Sequence, residues 1–186
     1  MDVVIQQSTE YPRAYYLRCV LGQYVGHPDN INVAYCKDAL ETNRSLESND
    51  EFTGFRIIED VVINSVGVLL KRLGNEAEAI DHFEKGLIMN PISSDIMVNL
   101  ASVYSDQGRY DLATEYFNRA ERLIVDPAVR SLLMTNRGFS MEKQGHLLDA
   151  KAIYEEAIDI AGGNPHPQLI LNLQNLEKYC YHNTCN

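Results

Sequence analysis

Positive charge is scarce in this chain. Sixteen lysines and arginines stand against 26 aspartates and glutamates, a formal charge of −10 over 186 residues. A surface of that sign repels phosphate backbones and anionic headgroups, so nucleic acid is not expected as a partner. Long apolar runs are missing as well. The stretch Val61 to Leu70 is interrupted by Asn64 and Ser65 and falls well short of the roughly 20 residues a spanning helix needs, so no insertion into a membrane is expected. The opening MDVVIQQSTEYPR has no positively charged start followed by an apolar run, and no secretory signal is read there. Catalytic signatures are lacking too: no phosphate-binding glycine loop, serine elbow or zinc-protease motif appears. Acidic pairs such as Glu155 and Glu156 fall on a solvated helix face and give no cause to expect acid and base catalysis. The chain is expected not to be an enzyme and to carry no cofactor. What it does have is 45% hydrophobic residues, enough for one continuous core and, at this length, a single domain over 1–186.

Those apolar residues recur at a fixed period. LGNEAEAIDHFEKGLIMNP (Leu73 to Pro91) and QGRYDLATEYFNRAERLIVDP (Gln107 to Pro127) place Gly74 and Gly108 34 residues apart, with Ala79 and Ala113, then Phe83 and Phe117, at matching offsets. A third copy, QGHLLDAKAIYEEAI, carries Gly145, Ala150, Tyr154 and Ala157 at a displacement of 37. The three extra residues fall around Ile124 to Ala128, where a loop absorbs them. Upstream of each glycine, apolar residues are spaced by three and four, which marks one buried helix face. They are Ile63, Val66, Gly67 and Leu70, then Met97, Leu100, Ala101 and Tyr104, then Met134, Arg137, Gly138 and Met141. Arg137 breaks the apolar rule, and Gly86 stands where the other copies have alanine.

This pattern resembles the tetratricopeptide-repeat family, whose unit is two antiparallel helices in about 34 residues. The resemblance covers Asp60 to Asn164. It implies an all-α fold, a superhelical stack of about three such units, with repeats over 60–93, 94–130 and 131–165. In the family's unit the glycine ends the first helix, the alanine lets the two helices approach closely, and the ring fills the gap between neighbouring units.

A repeat of this kind cannot bury its apolar face alone, so the ends of a stack need capping elements. Residues 167–181 (PQLILNLQNLEKYCY) begin with proline at a helix start and keep leucine at 169, 173 and 176, the pattern of one capping helix. At the other end Arg13 to Val25 and Asn30 to Leu46 read as a helical hairpin around GHPDN, spanning 13–46 as a degenerate repeat or cap. The following NRSLESNDEFTGFR reads as a loop leading into a helix that starts near Glu51 or Phe55.

The resemblance also implies a concave groove walled by the first helices, and with it a protein or peptide partner. Asn64, Asn99, Asn136 and Asn172 recur at intervals of 35, 37 and 36 and are candidates for an amide ladder, since each carries both donor and acceptor. Val61, Val68, Val98, Leu132 and Phe139 fall at groove positions by register, with Phe139 the expected anchor, and Arg72 and Lys143 point to the same wall. The clamp by which some family members hold a chaperone C-terminus is largely missing. Its basic and amide positions are filled here by Asn64 and Val68 in one repeat and by Leu132 and Asn136 in another.

Four cysteines form two close pairs. Cys19 and Cys36 are almost equally far from a turn at His27 and Pro28 and so can face each other, and Cys180 and Cys185 are joined by a short tail that can fold back. Two disulfides are one reading, which would suit an oxidising compartment. Buried and free thiols in a cytoplasm are the other. Cys180, His182 and Cys185 supply three potential metal ligands, but no fourth is evident and no metal site is expected. The function expected is an interaction module, a scaffold or adaptor in an assembly. The alternatives are a secretion-type chaperone, for which a homodimer is expected, and a periplasmic or luminal domain of a larger membrane-associated biogenesis factor.

Overall fold

The computed structural model describes residues 17–22, 26–47, 59–182 and 185. Among them all regular structure is α-helix. Beyond residues 17–22, the helices are α1 (Asp29–Glu47), α2 (Glu59–Arg72), α3 (Glu76–Met89), α4 (Ser94–Asp106), α5 (Tyr110–Glu121), α6 (Pro127–Lys143), α7 (Leu147–Ile160) and α8 (Pro167–His182). The chain divides into two compact units, Met1–Pro91 and Ile92–Asn186.

In the first unit α1 packs on α2 and α2 on α3. The helical residues 17–22 are tied to α1 by the disulfide Cys19–Cys36, with both cysteines fully buried and their Cα atoms 4.6 Å apart. One turn along, Gly22 lies so close to the Asn32 amide that a Cβ there would collide with Oδ1. Asn32 is fully buried. Its Nδ2 donates to the His27 carbonyl at 3.1 Å, while its Oδ1 has no hydrogen-bond partner among the described residues. Of the expected first helix, residues 13–16 and 23–25 lie outside the described residues, as do 48–58, where the loop and the start near Glu51 or Phe55 were placed. Helix α1 runs to Glu47, one residue past the expected Leu46, so the first residues of the stretch NRSLESNDEFTGFR are helical and not loop. In a helix of 19 residues the small propensity cost of Asn43 and Ser45 is outweighed by the continuing backbone bonds.

In the second unit α4 pairs with α5 and α6 with α7, α6 packs on both α4 and α5, and α8 lies across α7 and α6. Turn chemistry decides where these pairs bend. Gly74, Gly108 and Gly145 hold φ of 79°, 73° and 82°, the left-handed region that side chains disfavour. Each is followed by a residue whose N–H reaches back five positions: Asn75 to the Leu70 carbonyl, Arg109 to Tyr104 and His146 to Met141. That bond closes the first helix and turns the chain into the second. At the start of α6 the Asp126 carboxylate accepts from the Ala128 and Val129 N–H groups, and Pro127 occupies the first turn, which satisfies donors the helix leaves open.

The repeat positions form the core. Ala79, Ala113 and Ala150 are fully buried, as are Phe83 and Tyr154, with Phe117 at 1% exposure. Gly67 and Gly138 receive the rings: a Cβ on Gly67 would lie 2.5 Å from Phe83 Cε1, and one on Gly138 2.5 Å from Tyr154 Cε1. The middle repeat has Ala101 at the matching place. Gly138→Ala is therefore expected to overpack, costing about 1–3 kcal/mol, against the roughly 0.5–1 kcal/mol that alanine gains over glycine inside a helix. Urea unfolding should show the lower midpoint, with the slope unchanged.

Candidate functional site

In the second unit the first helices α4, α6 and α8 are neighbours in that order. Polar contacts fix their spacing. Ser105 Oγ donates to Ser140 Oγ at 2.9 Å between α4 and α6, both side chains buried. Ser131 Oγ donates to the Ala157 carbonyl at 2.8 Å, tying α6 to α7. Arg137, the apolar-rule exception, sends Nη2 to Asn118 Oδ1 at 2.8 Å and to Glu121 Oε2 at 2.9 Å, both on α5. It is a strut between neighbouring helix pairs, and no sequence period signals such a partner.

Along one face of α6 a stripe remains open. Val129, Leu132, Asn136, Phe139 and Lys143 follow each other at spacings of three and four, which puts them on one face. Leu132 is 46% exposed and Phe139 43%. Lys143 pairs with Asp106 of α4 and lies over the Phe139 ring, 5.0 Å from its centroid. Val98 and Asn99 of α4 and Asn172 of α8 are half-buried, and Leu171 of α8 is exposed. Beside Leu132 a cavity of about 280 Å³ opens between the start of α6 and the α7–α8 connection, lined by Ala128, Ala161, Pro165, His166 and Pro167 among others.

The asparagine row is divided by the two units. Asn64 is on α2 in the first, and Asn99, Asn136 and Asn172 are on α4, α6 and α8 in the second. Their amides are largely engaged within the chain. Asn136 Nδ2 donates to the Leu132 carbonyl at 3.1 Å, and Asn172 Oδ1 accepts from Gln168 Nε2 at 2.7 Å. Asn64 and Asn99 also have partners. Asn172 bears on the Tyr154 hydroxyl too, whose own proton goes to Glu142 Oε2 at 3.1 Å. Burial, and then the Glu142 charge, push that hydroxyl far above the usual tyrosine range, with Asn172 pulling weakly the other way. It remains a neutral donor that joins α7 to α6.

Arg72, in the first unit, pairs with Asp29 at 3.0 Å and so links the end of α2 to the start of α1. Val61 is 38% exposed and Val68 half-buried, both on α2. Cys180 and Cys185 are bonded, with Cα atoms 5.2 Å apart. Their sulfurs are then not available as thiolate ligands beside His182, and no metal-binding cluster occurs among the described residues. No helix of the described residues is long and apolar enough to cross a membrane.

No curated protein matches the chain. Solved structures do. BtubC (BKLC) from P. vanneervenii is 18% identical, with 96% of this chain and 82% of that one covered and a TM-score of 0.69. The Sgt2 TPR domain from Aspergillus fumigatus is 22% identical over 68% of this chain and 82% of that one, with a TM-score of 0.57. The first TPR of Spaghetti (RPAP3), bound to the HSP90 peptide SRMEEVD, is 22% identical over 66% and 93%, with a TM-score of 0.54. At such identities the likeness shows the fold alone. The tetratricopeptide-repeat family model matches residues 70–133, a span that holds the glycine, alanine and ring positions of two consecutive helix pairs. Residues 70–133 are thus similar to the tetratricopeptide-repeat family, and the chain shares the fold of solved domains built from that repeat.

Proposed function

We propose that the chain is a protein-interaction module that takes a segment of another protein on the exposed face of its first helices, as a scaffold or adaptor. The observation that carries this reading is the exposure of Leu132 and Phe139 on α6. Large apolar side chains left open together on a helix whose other faces are packed mark a contact surface. The RPAP3 domain, with the same fold, holds a peptide, which supports a peptide or protein as the class of partner here. No catalytic role is proposed.

Affinity capture with the wild-type chain beside a variant carrying Asn99→Ala, Asn136→Ala and Phe139→Ala tests the surface. With the fold intact by circular dichroism, the variant is expected to lose the partners that the wild type retains. Equal capture by both would place binding on the second helices or the ends.

The two bonded cysteine pairs favour a second reading, a repeat domain of a larger biogenesis factor working in an oxidising compartment. Mass measurement without reductant, with thiol counting, decides between the compartments. Four free thiols would exclude this second reading.

A further inference from the structure

Three positions spaced by four and then three residues share one face of each first helix. The leading position is Val62, Ile96, Leu133 and Leu169 along α2, α4, α6 and α8, apolar and at most 1% exposed in each. The next is Val66, Leu100, Arg137 and Leu173, and the last is Leu69, Val103, Ser140 and Leu176. Of the four helices, α6 alone is polar at both of these places. Ser140 Oγ accepts from Ser105 Oγ of α4, and Arg137 reaches Asn118 and Glu121 of α5. Just beyond them Lys143 pairs with Asp106 of α4, and the Lys143 carbonyl accepts from the Tyr110 hydroxyl at 3.3 Å. Over its last two turns α6 is thus seated on the preceding helix pair by polar groups, while earlier on the same face it carries the buried Leu133. The fit within its own pair is of the other kind: Gly138 receives the Tyr154 ring, and Ala150 and Ala157 of α7 are fully buried.

These two kinds of contact answer differently to salt. Side-chain exposure is 18% and 36% for Arg137 and Glu121, and 32% and 23% for Lys143 and Asp106. Ion pairs that solvent reaches contribute little and are weakened by counter-ions, whereas apolar burial is not electrostatic and is not screened. We propose that the polar seat is a latch and Leu133 its pivot. The α6/α7 pair swings as one body on the α4/α5 pair, opening at the ends of α4 and α6 as ionic strength rises and closing as it falls. Such a motion leaves the helices and the ring packing within each pair intact, so it needs far less free energy than unfolding the unit. It changes the spacing of α4 and α6, the helices that carry Asn99 and Phe139, and so gives the face between them two shapes. The latch holds whatever that face binds.

The test is a distance measurement by pulsed electron resonance on the whole chain with both disulfides intact, with spin labels on p-acetylphenylalanine so that the cysteines are spared. One pair of labels replaces the exposed Thr114 and Ala152, near the starts of α5 and α7 and so at the latch end. The other replaces the exposed Arg122 and Asp159, at the pivot end. Raising potassium chloride from about 0.1 to 1 M shortens the screening length from about 10 to 3 Å. It should raise the fraction of a longer distance in the first pair about threefold to tenfold and leave the second pair unchanged. Arg137→Leu with Ser140→Val gives α6 the residues that α4 has at these places, and should hold the short distance at both salt concentrations. Asp106→Asn with Glu121→Gln keeps the shapes and removes both carboxylate charges, and should show the longer distance already at low salt, with further salt adding nothing. This second variant decides the matter if the apolar one does not fold. A first pair indifferent to salt, equal movement of both pairs, an apolar variant that opens like the wild type, or a charge-free variant that stays closed overturns the proposal.

Discussion

Phe117→Ala should lower the stability of the second unit by about 3–5 kcal/mol, the range for removing a fully buried aromatic ring. Phe117 is 1% exposed on α5, which packs on α4 and α6. In a stacked architecture the loss extends beyond one helix pair, because each pair is stabilised largely by its neighbours. Whole domains are stable by only about 5–15 kcal/mol, so a fall of this size should shift the urea midpoint far down and leave α4 to α6 exchanging their amide hydrogens rapidly. Tyr154→Ala is expected to match it and to strip Glu142 of its donor as well. Tyr154→Phe separates the two contributions. It keeps the ring against Gly138 and removes one hydrogen bond, so a cost of about 0.5–1.5 kcal/mol is expected. A cost for Tyr154→Phe equal to that for Tyr154→Ala would show that the hydroxyl, and not the ring, holds α7 to α6.

The next largest effect belongs to the first unit. Opening the Cys19–Cys36 bond, by reductant or by the paired change to serine, should cost about 3 kcal/mol, the scale for a closed loop of roughly this length. Among the described residues, Val33, Ala39 and Leu40 are buried on the same helix as Cys36, and Asn32 adds a buried oxygen with no partner there. Residues 17–22 also meet α1 through Arg18, whose guanidinium lies over the Tyr35 ring at 5.4 Å, and through Gly22 against Asn32. Hydrogen exchange should therefore rise in 17–47 on reduction and change little in α6 and α7, which hold no cysteine. Uniform loosening of both units would contradict this. The second bond, Cys180–Cys185, closes a separation of only 5 residues at the end of α8, and its reduction is expected to change stability far less.

The helix pairs were legible in the sequence because their determinants are local and recur. A glycine that must turn, an alanine where two helices approach and a ring that fills the gap are each fixed by the chain within a few positions, and three registers agreed on all three. The stripe on α6 was half legible: register placed Leu132 and Phe139 at groove positions of the first helix, and in the structure both are exposed. What the sequence did not carry were the pairings of polar groups. Arg137 looked like a defect because its partners, Asn118 and Glu121, belong to another helix. The asparagine row looked like four equivalent groups, yet Asn172 is joined to Gln168 and Tyr154, and Asn136 to its own helix. Periodicity records which face a residue occupies; it does not record which nearby group satisfies its donors and acceptors.

The fit of ring to backbone at Gly138 and Gly67 also bears on how such a chain can change over time. Two helix pairs of this protein are matched as glycine with a ring, and the middle one as alanine with a ring. Duplication supplies copies that look interchangeable, but recombination that joins a first helix bearing alanine to a second helix shaped for glycine would create a collision at the junction. First and second helices are thus matched as pairs, and an exchange that keeps each pair whole keeps this fit while one that splits a pair does not.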